Sequence, residues 1–238
     1  MTLKRLVLFD IDGTLLWPDG AGRASMKAAL EHVYGTAGPI ETYRFGGRTD
    51  RQTVRTLLQE AGLSPEQIWD RFEQVGPAME IALRKALQEN RHNIRPCPGA
   101  IDLIEVLSAH EDVLLGLVTG NFCQTAPIKL SAAGFDPAVF RVGAYGDEAE
   151  ARTELPPRAI KRAMQLTGAS FRGTQIFVVG DTPDDVLCGH AVGAQSIAVM
   201  TGWVERSVLE VHRPDYIFDD LCDAQKVLDT IMAPMGID

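Results

Sequence analysis

The sequence predicts an α/β fold in which helices cover both faces of a parallel sheet. Short runs of Leu, Ile, Val and Phe recur along the chain, and they are typical of strands buried on both faces. From residue 96 onward these runs alternate with amphipathic helical stretches, the order that joins parallel strands through helical crossovers. The 238 residues, 45% of them apolar, suffice for one large domain or for a core with an insertion.

The first predicted strand, Leu6–Phe9, ends at two carboxylates one residue apart. Side chains two residues apart in an extended chain leave the same face, so Asp10 and Asp12 are expected to point together. Gly13 then supplies the backbone freedom to turn away. Open α/β sheets bind ligands at this end of their strands, where two like charges need a cation or a shared proton. Taken alone, the segment fits an ordinary Asp-Gly turn equally well.

The stretch from residue 17 to residue 95 contains no convincing strand and several helical patterns. Apolar residues recur at helical spacing in three places: Met26/Leu30/Val33, Val54/Leu57/Leu58/Ala61, and Ile68 through Leu87. Ser64 is expected to cap a helix that begins at Pro65. We therefore predict an inserted all-helical cap domain over the carboxyl edge of the sheet. The predicted division is a catalytic core of residues 1–16 and 96–238 and a cap of residues 17–95, with linkers at Leu16–Gly22 and Arg91–Gly99.

The remaining elements alternate in type. Strands are predicted at Val113–Val118, Val139–Val142, Ile176–Val179, Ser196–Met200 and Tyr216–Phe218. Helices are predicted at Ala100–Leu107, Thr125–Ala133, Pro156–Leu166, Asp184–Val192 and Asp223–Met232. This alternation predicts a Rossmann-like parallel sheet with helices on both faces.

The net charge and the cysteine spacing limit the classes of function and the cellular compartment that the sequence supports. The net charge of −9 disfavours general binding to nucleic acid or to anionic membranes, although a local cation can still attract a small anionic substrate. The four cysteines form no CxxC pair, which favours a reducing compartment over a disulfide framework or a zinc site. With no stretch typical of a signal peptide or a membrane span, the expected location is the cytoplasm.

Polar side chains follow three of the predicted strands. They are Asp10 with Asp12, Thr119 with Asn121, and Asp181 with Asp185. Because the carboxyl ends of parallel strands meet at one edge of a sheet, these groups are expected to form one site. Helix capping would explain either Asp181 or Asp185. It explains poorly why both aspartates occur in a chain whose first strand also ends in two aspartates.

This ordered set resembles the haloacid dehalogenase superfamily of phosphohydrolases, in particular its phosphoglycolate phosphatase-like members with a helical cap. The first family motif, DxDGT[LV], is present as Asp10–Leu15, and the second, a Thr or Ser after an apolar strand, as Thr119. The fourth, GDxxxD, is present as Gly180–Asp185. The resemblance implies a phosphatase that acts on a small phosphomonoester, phosphoglycolate or a similar metabolite.

The chemistry of the aspartates fits such a reaction. Asp10 is placed to attack phosphorus and form an aspartyl-phosphate, and Asp12 could protonate the leaving group and later activate water. A Mg²⁺ ion would let the carboxylates coexist and would neutralise phosphate oxygens. Asp181 is the natural further ligand, and Asp185 is expected to hold a metal-bound water. The resemblance implies that the backbone carbonyl of Asp12 also binds the metal.

Phosphate binding is expected next to the metal. Thr119 and nearby backbone N–H groups would hold phosphate oxygens, helped by the N-terminus of the following helix. The expected contributors beside Thr119 are Gly13, Gly120 and Asn121.

The third family motif is where the sequence departs from the pattern. Relatives usually carry a Lys there, often in a KPxP run, whereas aligning the prolines places Glu154 at that position. A phosphate site needs a cation to stabilise charge in the transition state. Arg152 is the nearest candidate, with Arg158 and Lys161 as further ones, and Arg152→Ala is expected to lower turnover by orders of magnitude while folding is retained. An ordinary surface charge is the competing explanation.

A loop in the predicted cap, Phe45–Arg51, leads into a helix with Asp50 as a possible N-cap. In relatives such loops reach over the active site, so Arg48 or Arg51 could bind a second anionic group of the substrate. Solvated charges at the start of a helix are an equally good explanation.

Three alternatives to a phosphatase remain. A sugar-phosphate mutase of the beta-phosphoglucomutase type would pass the phosphoryl group to a sugar, and its GxSR-type cap loop is matched only loosely by Gly47–Arg51. A 2-haloacid dehalogenase needs the nucleophile but neither Asp12 nor the metal, so the aspartate set argues against it. A catalytically idle binding module is disfavoured by the same set. The sequence leaves open whether the protein is a monomer or a homodimer.

Overall fold

The computed structural model describes residues 4–234. Its eight strands are β1 Arg5–Phe9, β2 Leu16–Trp17, β3 Arg95–Pro96, β4 Val113–Val118, β5 Val142–Ala144, β6 Ile176–Gly180, β7 Gln195–Val199 and β8 Tyr216–Phe218. Six of them form one sheet in the order β5-β4-β1-β6-β7-β8, and every neighbouring pair is parallel. The predicted parallel α/β sheet is confirmed.

In the described part of the chain, ten α-helices surround the sheet or lie in the segment between β2 and β3. They are α1 Ala21–Tyr34, α2 Asp50–Glu60, α3 Pro65–Trp69, α4 Val75–Gln88, α5 Ala100–Ser108, α6 Ala126–Ala132, α7 Leu155–Thr167, α8 Pro183–Ala191, α9 Arg206–Val211 and α10 Ala224–Met232. No helix within residues 4–234 combines the length and the apolar character that crossing a membrane requires.

Strand β1 shows how the sequence places helices on both faces. Val7 and Phe9 point to one face and pack in the same apolar cluster as α5 and α10. Leu6 and Leu8 point to the other face, where α7 covers them. All four side chains are fully buried, as expected for a central strand of a parallel sheet.

The register of the central strands fixes the position of the functional groups. Phe9 of β1 lies beside Leu117 of β4 and Val179 of β6. Residues just beyond these three therefore leave the sheet at one edge. Asp10, Thr119 and Asp181 are the first residues after these strands, and the carboxylates of Asp10 and Asp181 lie close together there.

Helices α1 to α4 enclose a second apolar cluster. It contains Met26, Leu30, Leu57, Ile68 and Met79, which realise the predicted helical patterns. Phe122, from the loop after β4, is inserted into this cluster and joins it to the sheet edge. Ser64 caps α3 as predicted, in a reciprocal capping box with Gln67. The division into core and cap at residues 16/17 and 95/96 stays a prediction.

Four expectations about individual elements are corrected. Trp17 and Arg95 pair in the antiparallel β2–β3 ladder, so the region contains two strands, each too short to show a periodic pattern. The pattern from Ile68 to Leu87 is two helices, because Pro77 is accommodated only in the first turn of a new helix.

The expected strand at Val139–Val142 begins only at Val142. Asp136 accepts a hydrogen bond from the backbone N–H of Ala138 and starts a 3-10 turn, Pro137–Val139, ahead of it. Helix α9 was not predicted.

Candidate active site

A cavity of about 290 Å³ lies at the carboxyl edge of β1, β4 and β6, beneath helix α1 and the loop that precedes α2. The sheet edge and its loops contribute Asp10, Asp12, Gly120, Asn121, Lys129, Arg152, Asp181 and Thr182. The helical segment contributes Gly22, Arg23, Phe45, Arg48 and Met79, among others. The aspartates therefore face a cavity of the size of a small metabolite.

Arg152 is the cation that the structure brings to the nucleophile candidate. Its Nη2 lies 2.7 Å from Asp10 Oδ1 and 2.6 Å from Asp185 Oδ1, and its Nη1 donates to the carbonyl of Gly47 at 2.8 Å. The residue begins a 3-10 turn ahead of α7 and is 7% exposed. The same guanidinium therefore joins the end of β1 and the first turn of α8 to the loop before α2.

The other two candidate cations lie outside the cavity. Arg158 is half exposed and reaches only Glu154, at 3.7 Å. Lys161 lines a groove on the outer face of α7, together with Phe171 and Ile176. Glu154, which occupies the position of the usual Lys in the aligned motif, is exposed.

Asp10, Asp181 and Asp185 form a buried cluster, with one carboxylate oxygen of each within 4.8 Å of the others. Burial raises the pKa of Asp10 to about 7 and raises the pKa values of Asp181 and Asp185. Arg152 acts against this effect, and neighbouring carboxylates add to it. One guanidinium cannot neutralise three carboxylates. Oxygen ligands of this kind suit a hard divalent cation, so the cluster fits the metal that the sequence predicts.

Asp185 serves two elements at once. Its Oδ1 binds Arg152, while its Oδ2 accepts from the N–H of Thr182 at 3.0 Å and from the Thr182 hydroxyl at 2.7 Å. These last contacts complete a capping box at the start of α8. Asp185 thus both caps helix α8 and belongs to the buried aspartate cluster. Asp181 is held differently, by the hydroxyl of Thr14 at 3.0 Å.

Gly13 has a conformational role and does not line the cavity. Its φ of 92° lies in the left-handed region, and a Cβ at this position would collide with the carboxylate of Asp181. Its N–H donates to the carbonyl of Leu16 at 2.8 Å, and its carbonyl accepts from the hydroxyl of Thr201 at 2.6 Å. The N–H of Gly13 is thus used within the turn, and a contact between Gly13 and phosphate stays a prediction.

The second strand end is preorganised by Thr119. The Thr119 side chain is fully buried, and its Oγ1 accepts from the amide nitrogen Nδ2 of Asn121 at 2.8 Å. Gly120 and Asn121 line the cavity above it. Thr119 thus orients the side chain of Asn121, and its contact with a phosphate oxygen stays a prediction.

Asp12 is paired with a residue that the sequence analysis missed. Lys129 of α6 places its Nζ 2.6 Å from Asp12 Oδ2 and 2.5 Å from Asn121 Oδ1. The Lys129 side chain is 3% exposed, and the Asp12 side chain 28%. The sequence offered one indication that Lys129 is buried. Its charge interrupts an apolar helical stripe, because Ala126 and Ala133 lie one turn away on the same face of the helix.

The loop before α2 docks on the strand edge. Thr49, not Asp50, is the N-cap of α2, because its hydroxyl oxygen accepts from the N–H of Gln52 at 3.1 Å. Asp50 instead reaches across to the loop after β4. Its carboxylate accepts from the N–H of Phe122 at 2.9 Å, and its own N–H donates to Gly120 at 2.7 Å.

The two arginines of this loop have different surroundings. Arg48 lines the cavity and donates from Nη1 to the hydroxyl of Tyr43 at 2.8 Å. Arg51 stacks on the rings of Trp69 and Phe72, at 4.3 and 4.6 Å from their centroids. Arg48 is thus the one that faces the cavity.

Known proteins share both the sequence pattern and the fold. The sequence model of the haloacid dehalogenase-like hydrolases matches residues 7–199. The chain is 25% identical to pyrophosphatase PpaX of Oceanobacillus iheyensis, covering 92% of this chain and 94% of that protein. It is 24% identical to a phosphoglycolate phosphatase of Haemophilus influenzae, with coverage of 95% and 99%.

A similar fold occurs in the crystal structure of a hydrolase from Pseudomonas syringae. The TM-score is 0.66 at 22% identity, over 96% of this chain and 99% of that one. The family match spans most of the chain and includes every residue of the aspartate cluster. The chain therefore belongs to the family of haloacid dehalogenase-like hydrolases.

Proposed function

We propose that the protein is a Mg²⁺-dependent phosphatase that hydrolyses a small phosphomonoester through an aspartyl-phosphate on Asp10. The observation that carries this proposal is the buried group of Asp10, Asp181 and Asp185 around Arg152, beside a cavity of about 290 Å³. The relatives named as pyrophosphatase and phosphoglycolate phosphatase support a small phosphorylated metabolite as the partner.

The chain's own residues supply the steps. Arg152 holds Asp10 Oδ1, so the carboxylate is oriented for attack by its other oxygen. The new Asp10–phosphorus bond forms as the bond from phosphorus to the leaving oxygen breaks, and Asp12 gives that oxygen a proton. Water then attacks phosphorus, its proton passes to Asp12, and the bond to Asp10 breaks to release phosphate.

Asp12 is arranged for proton transfer. Its Oδ2 is fixed by Lys129, whereas its Oδ1 is buried and has no hydrogen-bond partner among residues 4–234. A buried acceptor of this kind is costly unless a ligand satisfies it. We propose that the leaving oxygen, and later the attacking water, meet Asp12 at Oδ1.

Phosphate and metal binding complete the proposal. Mg²⁺, held by Asp10, Asp181 and the Asp12 carbonyl, with Asp185 beside them, would neutralise the phosphate oxygens. Asn121 and the backbone at Gly120 would contact the phosphoryl group, with Thr119 supporting Asn121. We propose Arg48 as a contact to the rest of the substrate, from the loop side of the cavity.

The experiment that tests the function is a screen of small phosphate esters with Mg²⁺. We expect phosphate release from at least one ester in the wild type, none in Asp10→Asn, and none in the presence of EDTA. A mutase would move phosphate on a sugar phosphate without releasing it, and a dehalogenase would release halide from 2-haloacids without metal. Either result would contradict the proposal.

Metal binding is expected to stabilise the protein more at alkaline pH. Burial raises the pKa of Asp10 to about 7, above the pKa of an aspartate in the unfolded chain. At low pH the protonated Asp10 carboxyl therefore contributes to the stability of the fold, and this contribution is lost as the pH rises through 7. A cation that pairs with the ionised carboxylates removes this loss. Mg²⁺ should therefore raise the melting temperature, compared with EDTA, by more at pH 8 than at pH 6.

Differential scanning fluorimetry at both pH values measures this difference. Asp181→Asn removes one carboxylate of the cluster and should reduce the gain from Mg²⁺ at pH 8. A gain of equal size at both pH values would contradict the predicted coupling between metal and carboxylate charge.

A further inference from the structure

Lys129 is a second buried cation in the cavity, and the proposed reaction leaves part of its hydrogen-bonding capacity unused. A lysine ammonium carries three N–H groups. Asp12 and Asn121 accept two of them, at 2.6 and 2.5 Å. The side chain is 3% exposed, so its charge is largely removed from bulk water. Because Lys129 also lines the cavity, a bound molecule can accept its third N–H.

The two buried cations lie with different carboxylates. Arg152 binds Asp10 and Asp185, on the side of the nucleophile and the metal cluster. Lys129 binds Asp12, the acid that serves the leaving oxygen. The leaving group must therefore lie on the Lys129 side of the phosphoryl group.

The helical segment closes over this same place. Gly22, in the first turn of α1, is so near that a Cβ there would lie 3.1 Å from Lys129 Nζ. Arg23 follows it and also lines the cavity. The carboxylates of Asp12 and Asp50 line the same side of the cavity. The Arg23 guanidinium donates to the carbonyls of Ile40 and Tyr43, so Lys129 is the cation whose remaining N–H is directed to a ligand.

Resting on the proposed phosphatase function, we propose that Lys129 binds the leaving group and selects phosphate compounds whose leaving group carries its own anionic oxygens. A carboxylate or a second phosphate next to the scissile bond would accept the third N–H in a charge-assisted hydrogen bond. A neutral leaving group of the same size leaves part of a desolvated ammonium unsatisfied. Lys129 is thus a residue that determines specificity.

The test compares two esters that differ in the charge of the leaving group. Phosphoglycolate carries a carboxylate where 2-hydroxyethyl phosphate carries a neutral CH₂OH group, and pyrophosphate tests a second phosphate in place of the carboxylate. We expect the wild type to prefer one or both anionic substrates by roughly 10- to 100-fold in kcat/KM, the range of one hydrogen bond to a charged group. Lys129→Met should lose most of this preference.

The selectivity ratio separates substrate binding from a merely structural role. Disturbing Asp12 alone would lower activity on phosphoglycolate and on 2-hydroxyethyl phosphate by a similar factor, because both leaving groups are alcohols that need its proton, and this factor cancels in the ratio of these two esters. Lys85→Met, at an exposed position of α4, removes the same charge elsewhere and should leave the ratio unchanged. A variant Lys129→Gln, of similar shape and neutral, provides the same comparison if Lys129→Met does not fold.

Two results would overturn the inference. One is an equal loss on anionic and neutral substrates in the Lys129 variants, and the other is a wild type that prefers 2-hydroxyethyl phosphate. If neither the wild type nor Lys85→Met released phosphate from any ester in the presence of Mg²⁺, the proposed function itself would fail, and this inference with it.

Discussion

Replacing Asp10 by Asn is expected to lower kcat on the order of 10⁴-fold or more, because the variant lacks the carboxylate oxygen that we propose as the nucleophile. The side chains have nearly the same shape, so the packing at the end of β1 should be kept. Arg152 retains Asp185 as its charged partner in the variant. The loss is therefore expected in the chemical step and not in folding.

The stability of the same variant is expected to move in the opposite direction. Burial makes the ionised Asp10 carboxylate costly, as its raised pKa shows, and Asn removes that cost. Without metal at pH 8, Asp10→Asn should melt at the same or a higher temperature than the wild type. This opposition between stability and activity is typical of residues selected for chemistry.

Single-turnover phosphate release and thermal melting in EDTA measure the two effects. Asp102→Asn, at an exposed site in the first turn of α5, is the matched control and should leave both quantities unchanged. An Asp10→Asn protein with one hundredth of the wild-type turnover would show that another residue attacks phosphorus.

The sequence was sufficient for the parts of the site that depend on strand order. Asp10, Thr119 and Asp181 each follow an apolar run, and three neighbouring parallel strands must bring their carboxyl ends together. The aspartate cluster could be anticipated for the same reason, since Asp181 directly follows β6 and Asp185 lies in the first turn of the next helix, α8. Periodicity and topology thus determine these positions without knowledge of side-chain packing.

Contacts between distant loops could not be predicted in this way. Lys129 reaches Asp12 because of how α6 lies against the sheet edge, and Arg152 meets the carbonyl of Gly47 through the docking of a loop more than a hundred residues earlier in the chain. The two-residue strands at Trp17 and Arg95 form because each supplies the hydrogen-bonding partner of the other. Such contacts depend on tertiary structure, and the local pattern of apolar and polar residues does not indicate which distant residue a side chain will contact.

Replacing Arg152 by Ala is expected to lower kcat on the order of 10³-fold, and the structure changes what should happen to folding. Sequence reasoning alone expected folding to be retained. The structure shows that Arg152 lies between two buried carboxylates and also holds the loop before α2. Removing one partner of such a buried group costs about 3–5 kcal/mol, because the remaining charges lose their compensation.

The two effects of Arg152→Ala should respond differently to metal. Mg²⁺ can replace part of the missing positive charge near Asp10 and Asp185, so it should recover part of the lost free energy of unfolding, measured by urea denaturation. It cannot replace a guanidinium that contacts the nucleophile and the loop together, so kcat should stay low at saturating Mg²⁺. Arg158→Ala and Lys161→Ala, on the outer face of α7, should be close to the wild type in both measurements. A loss of turnover in either control equal to that of Arg152→Ala would show that the cation opposite the nucleophile is not Arg152.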